Sequence, residues 1–304
     1  MIEHAFAWLG RNLMLPGVNR LIRLAYPSGM QSRRWVAGVR TRADGLRMDV
    51  DSRHVIDWEV CFRGSYESHL VPVFEAVLAP GGFAVDIGAN VGVHTLTMAR
   101  IVGSEGQVFA YEPNPDVFER LVRNVALNEL NCVTCYDTAL GEVSGTVELR
   151  VPRSDTAEAE NPGLASVKAL DTPHDLVEIV VDRLDSLMSR FGLDRLDLIK
   201  IDVQGYETFV FRGMREILQH WKPAVVFEYE DWAWEASQGS LGEVISILEA
   251  ADYRLWSLTT GAREQKPLLD TVSHNVSHIE ILALPRDGAR TGWICEQLNL
   301  ERNG

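Results

Sequence analysis

The chain is poor in cysteine, short of basic residues relative to acidic ones, and free of long apolar runs. Four cysteines in 304 residues (Cys61, Cys132, Cys135 and Cys295) build no disulfide framework. Such usage suits a reducing compartment, so a cytoplasmic location is expected. Cys132 and Cys135 form a lone C-x-x-C. A structural zinc site needs a second ligand pair, and residues three apart on a strand face opposite sides, so the pair reads as structural. Lys and Arg number 29 against 43 Asp and Glu, a formal net charge of -14. A surface of that sign repels phosphate backbones and anionic bilayers, so no nucleic-acid partner is expected. The arginines gather in residues 11–53, which leaves room for one local basic patch. No apolar stretch approaches the ~20 residues of a membrane span. Glu3 and His4 precede the first apolar stretch and Arg11 interrupts it, so no secretory signal is expected there. That amphipathic start reads as a helix packed on the domain or a partner; peripheral contact with a membrane surface is the sharper alternative. Also missing is G-x-G-x-x-G, the fingerprint of dinucleotide binding.

What is present is a strand–helix alternation. With 46% hydrophobic residues, the chain can bury one large α/β domain plus a small extension. Residues 1–63 read as an N-terminal extension, a helix plus a small hairpin made of RADGLRMDVD and HVIDWEV, which could cap the acceptor side. Residues 64–304 form the main domain. Ser65 to Ala79 is predicted helical and is ended by Pro80-Gly81-Gly82. Strands at 83–88, 107–112, 131–136, 197–202 and 224–229 alternate with helices at 93–102, 115–128, 206–219 and 240–251. Strands 253–259 and 277–284 follow with no helix between them. GEVSGTVELRV (141–151) reads as a hairpin, and 152–178 as a polar, mobile insertion. The pattern predicts a doubly wound, mostly parallel sheet with helices on both faces and an antiparallel final pair.

Chemistry-bearing residues fall at the strand ends. In FAVDIGANVGVHTLTMAR, Asp86 closes a strand, and Gly88, Ala89, Asn90 and Gly92 make a turn before the helix that carries His94 and Thr95. Such a turn lets backbone approach a ligand and aims helix N–H groups at it. Glu112, with Pro113 and Asn114 after it, ends the second strand. A carboxylate there accepts both hydroxyls of a ribose, in NAD enzymes and in S-adenosylmethionine enzymes alike. Asp137, Thr138 and Ala139 follow the third strand, beside the expected adenine. Asp202 ends the fourth strand, flanked by Lys200 and Glu207. It could serve as general base, metal ligand or hydrogen-bond anchor. Glu228, Glu230 and Asp231 crowd the next strand end and could hold Mg²⁺ or Ca²⁺, although orienting neighbours or facing solvent is the simpler reading. As candidates for the base at the acceptor, His94 ranks after Asp202, and the pair His274 and His278 ranks third, because loop histidines are more often structural. The eight tryptophans fit sugar stacking or core packing equally.

DIGANVG, YEPNP, TALGEVSG and IKIDVQGYE with a following Phe-Arg-Gly, in that order, resemble the FkbM-type S-adenosylmethionine-dependent methyltransferases. The resemblance spans Tyr66 to Glu230, roughly half the chain. It implies a Rossmann-like methyltransferase fold of seven strands with the last one reversed. It also implies O-methylation of a sugar, glycan or natural-product hydroxyl, with S-adenosylhomocysteine as product. Carried over by position, Asp86, Gly88, Asn90 and Gly92 cradle the methionine part, Glu112 takes the ribose, Asp137 to Ala139 line the adenine, and Glu67 closes over the cofactor. Gln204 and Tyr206 depart from the family's Asp-Val-Glu-Gly-Ala-Glu, which removes one acid and weakens the case for a metal. Two rivals share part of this pattern. An NAD-dependent oxidoreductase should carry the missing glycine fingerprint. A non-catalytic partner-binding protein of the same fold should have lost Asp86, Gly88, Gly92 or Glu112.

Overall fold

The computed structural model describes residues 7, 8, 10, 22, 24, 36–41, 45–51, 54–152, 173–193, 195–258, 266–267 and 277–300. The chain opens with strands β1 (Val36–Arg40) and β2 (Arg47–Asp51) and helix α1 (Val55–Arg63). After a single 3₁₀ turn at Ser68–Leu70 come α2 (Val71–Val77), β3 (Phe83–Ile87), α3 (Val93–Val102), β4 (Gln107–Tyr111), α4 (Pro115–Leu127) and β5 (Val133–Tyr136). A side branch follows: β6 (Ala139–Leu140), β7 (Gly145–Pro152), β8 (His174–Asp182) and α5 (Leu184–Phe191). The chain then returns through β9 (Leu198–Ile201), α6 (Glu207–Arg212), α7 (Arg215–His220), β10 (Ala224–Glu230), α8 (Asp231–Ser237) and α9 (Leu241–Ala250). It closes with β11 (Tyr253–Leu258), β12 (Lys266–Pro267), β13 (His278–Pro285) and α10 (Thr291–Gln297).

The main sheet runs β12-β11-β13-β10-β9-β3-β4-β5. Seven strands make the body, and β12 adds a two-residue edge. Strands β5, β4, β3, β9 and β10 are parallel, while β13 inserts antiparallel between β10 and β11. Alternation along each strand builds two cores. Val85, Ile87, Phe109 and Tyr111 pack on one face; Ala84 and Val108 pack on the other with α2 and α3. From β3 the chain steps outward to β4 and β5, then crosses back to lay β9 on the other side of β3. The carboxyl ends of β3 and β9 therefore form the topological switch point, where open α/β sheets bind ligands.

Four expectations need correction. HVIDWEV is helical, within α1; the hairpin pairs β1 with β2, with Val36 opposite Asp51. Apolar residues at 55, 56, 58, 60, 61 and 62 satisfy a helical face as well as a strand, and Trp58, Val60, Cys61 and Phe62 are buried. Residues 141–151 are not a self-contained hairpin: β7 pairs with β8, Gly145 lying opposite Val181, and residues 174–178 of the expected insertion are strand. Residues 153–172 lie outside the described set. The helix expected over 206–219 is broken at Gly213-Met214 into α6 and α7. There a Cβ on Gly213 would sit 2.0 Å from the Gly141 carbonyl oxygen.

The N-terminal elements share a core with the main domain. Met48, Val50, Trp58 and Phe62 pack with Val91, Leu96 and Val117. Polar contacts lock the hairpin to α4: Asn128 Oδ1 accepts the Arg47 N–H at 2.7 Å and Asn124 Oδ1 the Asp49 N–H at 2.8 Å. Arg120 reaches from α4 to the fully buried Asp57. Among the described residues, no helix is long and apolar enough to cross a membrane.

Candidate active site

The β3–α3 turn begins where β3 runs out of sheet. Gly88 and Ala89 donate their N–H groups to the Tyr111 carbonyl at 3.0 and 2.9 Å. Gly88 has φ +77°, and a Cβ there would lie 1.8 Å from the Asp202 carbonyl oxygen. Only glycine lets the two strand ends approach this closely. Gly92, at φ +93°, starts α3. Three non-glycine residues around this crevice also hold left-handed backbone: Glu67 (42°), Asn90 (50°) and Gln204 (51°). Such strain persists where the surroundings impose it, and it clusters at functional sites.

A cleft of about 810 Å³, open to solvent, lies over the switch point. Gly88, Asn90, Glu112, Pro113, Thr138, Ala139 and Asp202 line it, joined by Tyr66, Gln204 and Tyr206. Glu112 is buried, and its two carboxylate oxygens accept the N–H groups of Asn114 (2.9 Å) and Asn90 (3.0 Å). Burial pushes it up to about 7, with Asp202 and Asp86 adding and the two N–H groups opposing. Each oxygen keeps a lone pair for a ligand hydroxyl. Behind the turn, Asp86 is fully buried; its Oδ2 accepts from Thr95 Oγ1 at 2.6 Å, and its Oδ1 has no hydrogen-bond partner among the described residues. Its nearest cation, Lys200 Nζ, is 3.9 Å away.

Asp202 ends β9 in the cleft wall. Lys200 Nζ donates to its Oδ2 at 3.1 Å and Gln204 Nε2 to its Oδ1 at 3.2 Å. Burial works to lower Lys200, but Asp202, Asp86 and Glu67 outweigh it and hold the ammonium above its ordinary value. Glu67 and His94 pair at 2.9 Å. Burial works to raise Glu67, and His94 and Lys200 together hold it below the usual carboxylate range. A second, smaller space of about 210 Å³ adjoins the cleft, lined by Glu67, Lys200, Asp202, Glu228 and Glu280 among others.

The remaining sequence candidates stand back from the cleft wall. Ala89, Gly92, Thr95 and Asn114 are buried and shape the turn and the start of α4, where the Asn114 side chain caps Asp116 N–H at 3.3 Å. Asp137 is exposed while Thr138 and Ala139 line the cleft. Glu207 is turned inward, 1% exposed, with Oε1 accepting the Val203 N–H at 3.0 Å. His274 lies outside the described residues. Tyr66 and Ile56 carry no motif that marks them as site residues, and only the fold brings them to the cleft; Tyr206, noted as a departure from the family motif, lines it from the loop before α6. Of the tryptophans, Trp58, Trp234 and Trp256 are core, whereas Trp8, Trp232 and Trp293 are exposed. All four cysteines are free thiols.

The fold and the crevice define an S-adenosylmethionine-dependent methyltransferase. The family model for the methyltransferase FkbM domain matches residues 86–255, more than half the chain. The chain belongs to the FkbM methyltransferase family. Over 187 residues (56% of this chain, 72% of the relative) it is 29% identical to Methyltransferase 1 of Beauveria bassiana. Over 137 residues (44% and 50%) it is 28% identical to the hexuronic acid methyltransferase AglP of Haloferax volcanii. Over 181 residues (56% and 72%) it is 25% identical to the 2-O-methyltransferase NoeI of Sinorhizobium fredii.

Proposed function

We propose that this methyltransferase transfers a methyl group to a hydroxyl of a sugar, glycan or natural-product small molecule, with Asp202 as general base. The observation that carries the assignment is the position of Asp202 in the cleft wall at the switch point, pinned by Lys200 and Gln204. The relatives named for a hexuronic acid and for 2-O-methylation support a sugar-type acceptor. When bound, S-adenosylmethionine supplies a methyl group already activated on a sulfonium. The buried Asp86 with its spare oxygen, the glycine turn and the Glu112 cradle fit that cofactor. Glu112 takes the ribose hydroxyls, Thr138 and Ala139 line the base, and Asn90 and the turn hold the methionine end. Glu67 and His94 brace the wall from behind the turn.

The chain must do two further things: align the acceptor oxygen and remove its proton. Lys200 and Gln204 each donate to one Asp202 oxygen and fix the plane of the carboxylate beside the space where an acceptor hydroxyl would arrive. The N-terminal extension, through Ile56 beside Tyr66, closes one side of that space as a cap. Free thiols throughout support a reducing, cytoplasmic setting. The net charge of -14 speaks against a nucleic-acid acceptor. In the test, Asp202→Asn and Glu112→Ala are titrated with S-adenosylmethionine and assayed for methylated product by mass against a panel of hydroxylated acceptors. Asp202→Asn should bind cofactor and lose turnover; Glu112→Ala should lose binding. Full turnover in Asp202→Asn would remove the base assignment.

A further inference from the structure

We infer that Glu228, Glu230 and His278 form a divalent-cation site beside the cofactor cleft, suited to an ion of the Mn²⁺ type. The placement follows from register. Strands β10 and β13 are antiparallel, with Glu230 directly opposite His278 and Glu228 directly opposite Glu280. Residues two apart on a strand share a face, so both cross-strand pairs project from one side of the sheet, at the carboxyl end of β10.

The donor atoms converge. His278 Nδ1 is 3.3 Å from Glu230 Oε1 and 3.4 Å from Glu228 Oε1. One ligand atom from each of the three residues lies within 4.8 Å of the others. Ligand atoms held about 2.1 Å from one ion stand about 3.0 Å apart at right angles and about 3.4 Å apart in a tetrahedron. Both His278–glutamate distances fall in or near that range, and the two glutamates bring a donor atom each within 4.8 Å of one another.

The small space beside the cleft meets this group through Glu228, and its lining brings Glu67, Asp202 and Glu280 together with Lys200. Glu280 and Lys200 are both more than nine-tenths buried. Lys200 is committed to Asp202 and lies near Asp86, and His69 is committed to Glu280. Glu228 has Gln204, Asp202 and His278 as described partners, and Glu230 has His278.

The donor set selects the ion. Imidazole beside two carboxylates suits first-row divalent ions better than Ca²⁺, which prefers six to eight oxygens. Three protein donors leave coordination positions open, and the half-exposed His278 gives a route in from solvent. Resting on the proposed O-methylation, those positions would hold acceptor oxygens next to Asp202.

The experiment uses the full chain after chelator treatment, titrated with Mn²⁺ alone and followed by loss of the free-ion electron paramagnetic resonance signal. One ion per chain is expected. His278→Ala and Glu230→Gln should each weaken binding about tenfold or more, while Glu235→Gln on the exposed face of α8 leaves it unchanged. The same variants are titrated with S-adenosylmethionine, which should bind as in the parent and so reports an intact fold separately from the metal site. If His278→Ala loses both ligands, Glu230→Gln decides. No Mn²⁺ binding below millimolar concentration, or binding unchanged in both variants, overturns the site. Failure of methyl transfer alone would count against the reaction and leave the ion site standing.

Discussion

Glu207 offers the sharpest physical test, because the structure makes it a buried acid with half a set of partners. It is 1% exposed; Oε1 accepts the Val203 N–H, and Oε2 has no hydrogen-bond partner among the described residues. Burial moves it from 4.5 to about 8, with Asp202 adding to the rise. A folded-state value above the unfolded one means that the native state holds the proton more tightly. The stabilising contribution is then complete below about pH 4.5 and is lost as pH rises to about 8. At about 1.4 kcal/mol per pH unit, that interval corresponds to about 5 kcal/mol, a large share of the 5–15 kcal/mol typical of a domain. Glutamine mimics the protonated acid and cannot ionise. Glu207→Gln should therefore match the parent near pH 5 and exceed it by several kcal/mol at pH 9. Urea unfolding at pH 5, 7 and 9 isolates the effect, since the other titrating groups contribute to both proteins. Equal pH slopes in parent and variant would refute the buried-acid argument. Turnover belongs in the same experiment: a folded Glu207→Gln protein that binds cofactor but has lost activity would make Glu207 a reacting group.

The other predictions concern the turn, the cap and the core. Asp86→Ala should abolish S-adenosylmethionine binding in titration calorimetry, because it removes the fully buried carboxylate behind the turn; Thr95→Val, which deletes the 2.6 Å donor to it, should weaken binding partially. Gly88→Ala places a methyl 1.8 Å from the Asp202 carbonyl and should cost both cofactor binding and melting temperature. Arg120→Ala strands the buried Asp57 without its guanidinium and should destabilise the protein by about 3–5 kcal/mol in urea unfolding. Tyr253→Phe removes a buried 2.8 Å hydrogen bond to the Pro223 carbonyl and should cost about 1 kcal/mol by the same measurement.

What could be read in the sequence divides by the range of the interaction. Helix α3 sits where its period and bracketing glycines put it, at Val93–Val102, and the parallel strands sit where apolar runs meet Gly or Pro. Asp86, Glu112 and Asp202 were legible for the same reason: each ends a parallel strand, and parallel strands share a carboxyl edge. Local pattern failed where two periods coincided, as in α1, and where the partner lay far along the chain, as for β7 and β8. Side-chain direction was also hidden. Glu207 follows Asp202 by five residues yet turns back into its own loop, and Asp137 faces solvent while its neighbours line the cleft.

The same division explains why the two sides of the site differ in legibility. The cofactor side is assembled from consecutive strand–turn–helix units, so its chemistry is written in contiguous motifs. The acceptor side, on the proposed reading, depends on β13, which threads antiparallel between β10 and β11 from the far end of the chain. Only that register sets His278 against Glu230 and Glu280 against Glu228. Sequence shows Glu228 and Glu230 on one strand and His278 and Glu280 about fifty residues further on; the antiparallel insertion turns the four into one polar face adjoining Asp202. Divergence in acceptor within such a fold can therefore proceed through β10, β13 and the N-terminal cap while the cofactor turn stays intact, because these elements share almost no contiguous sequence with it.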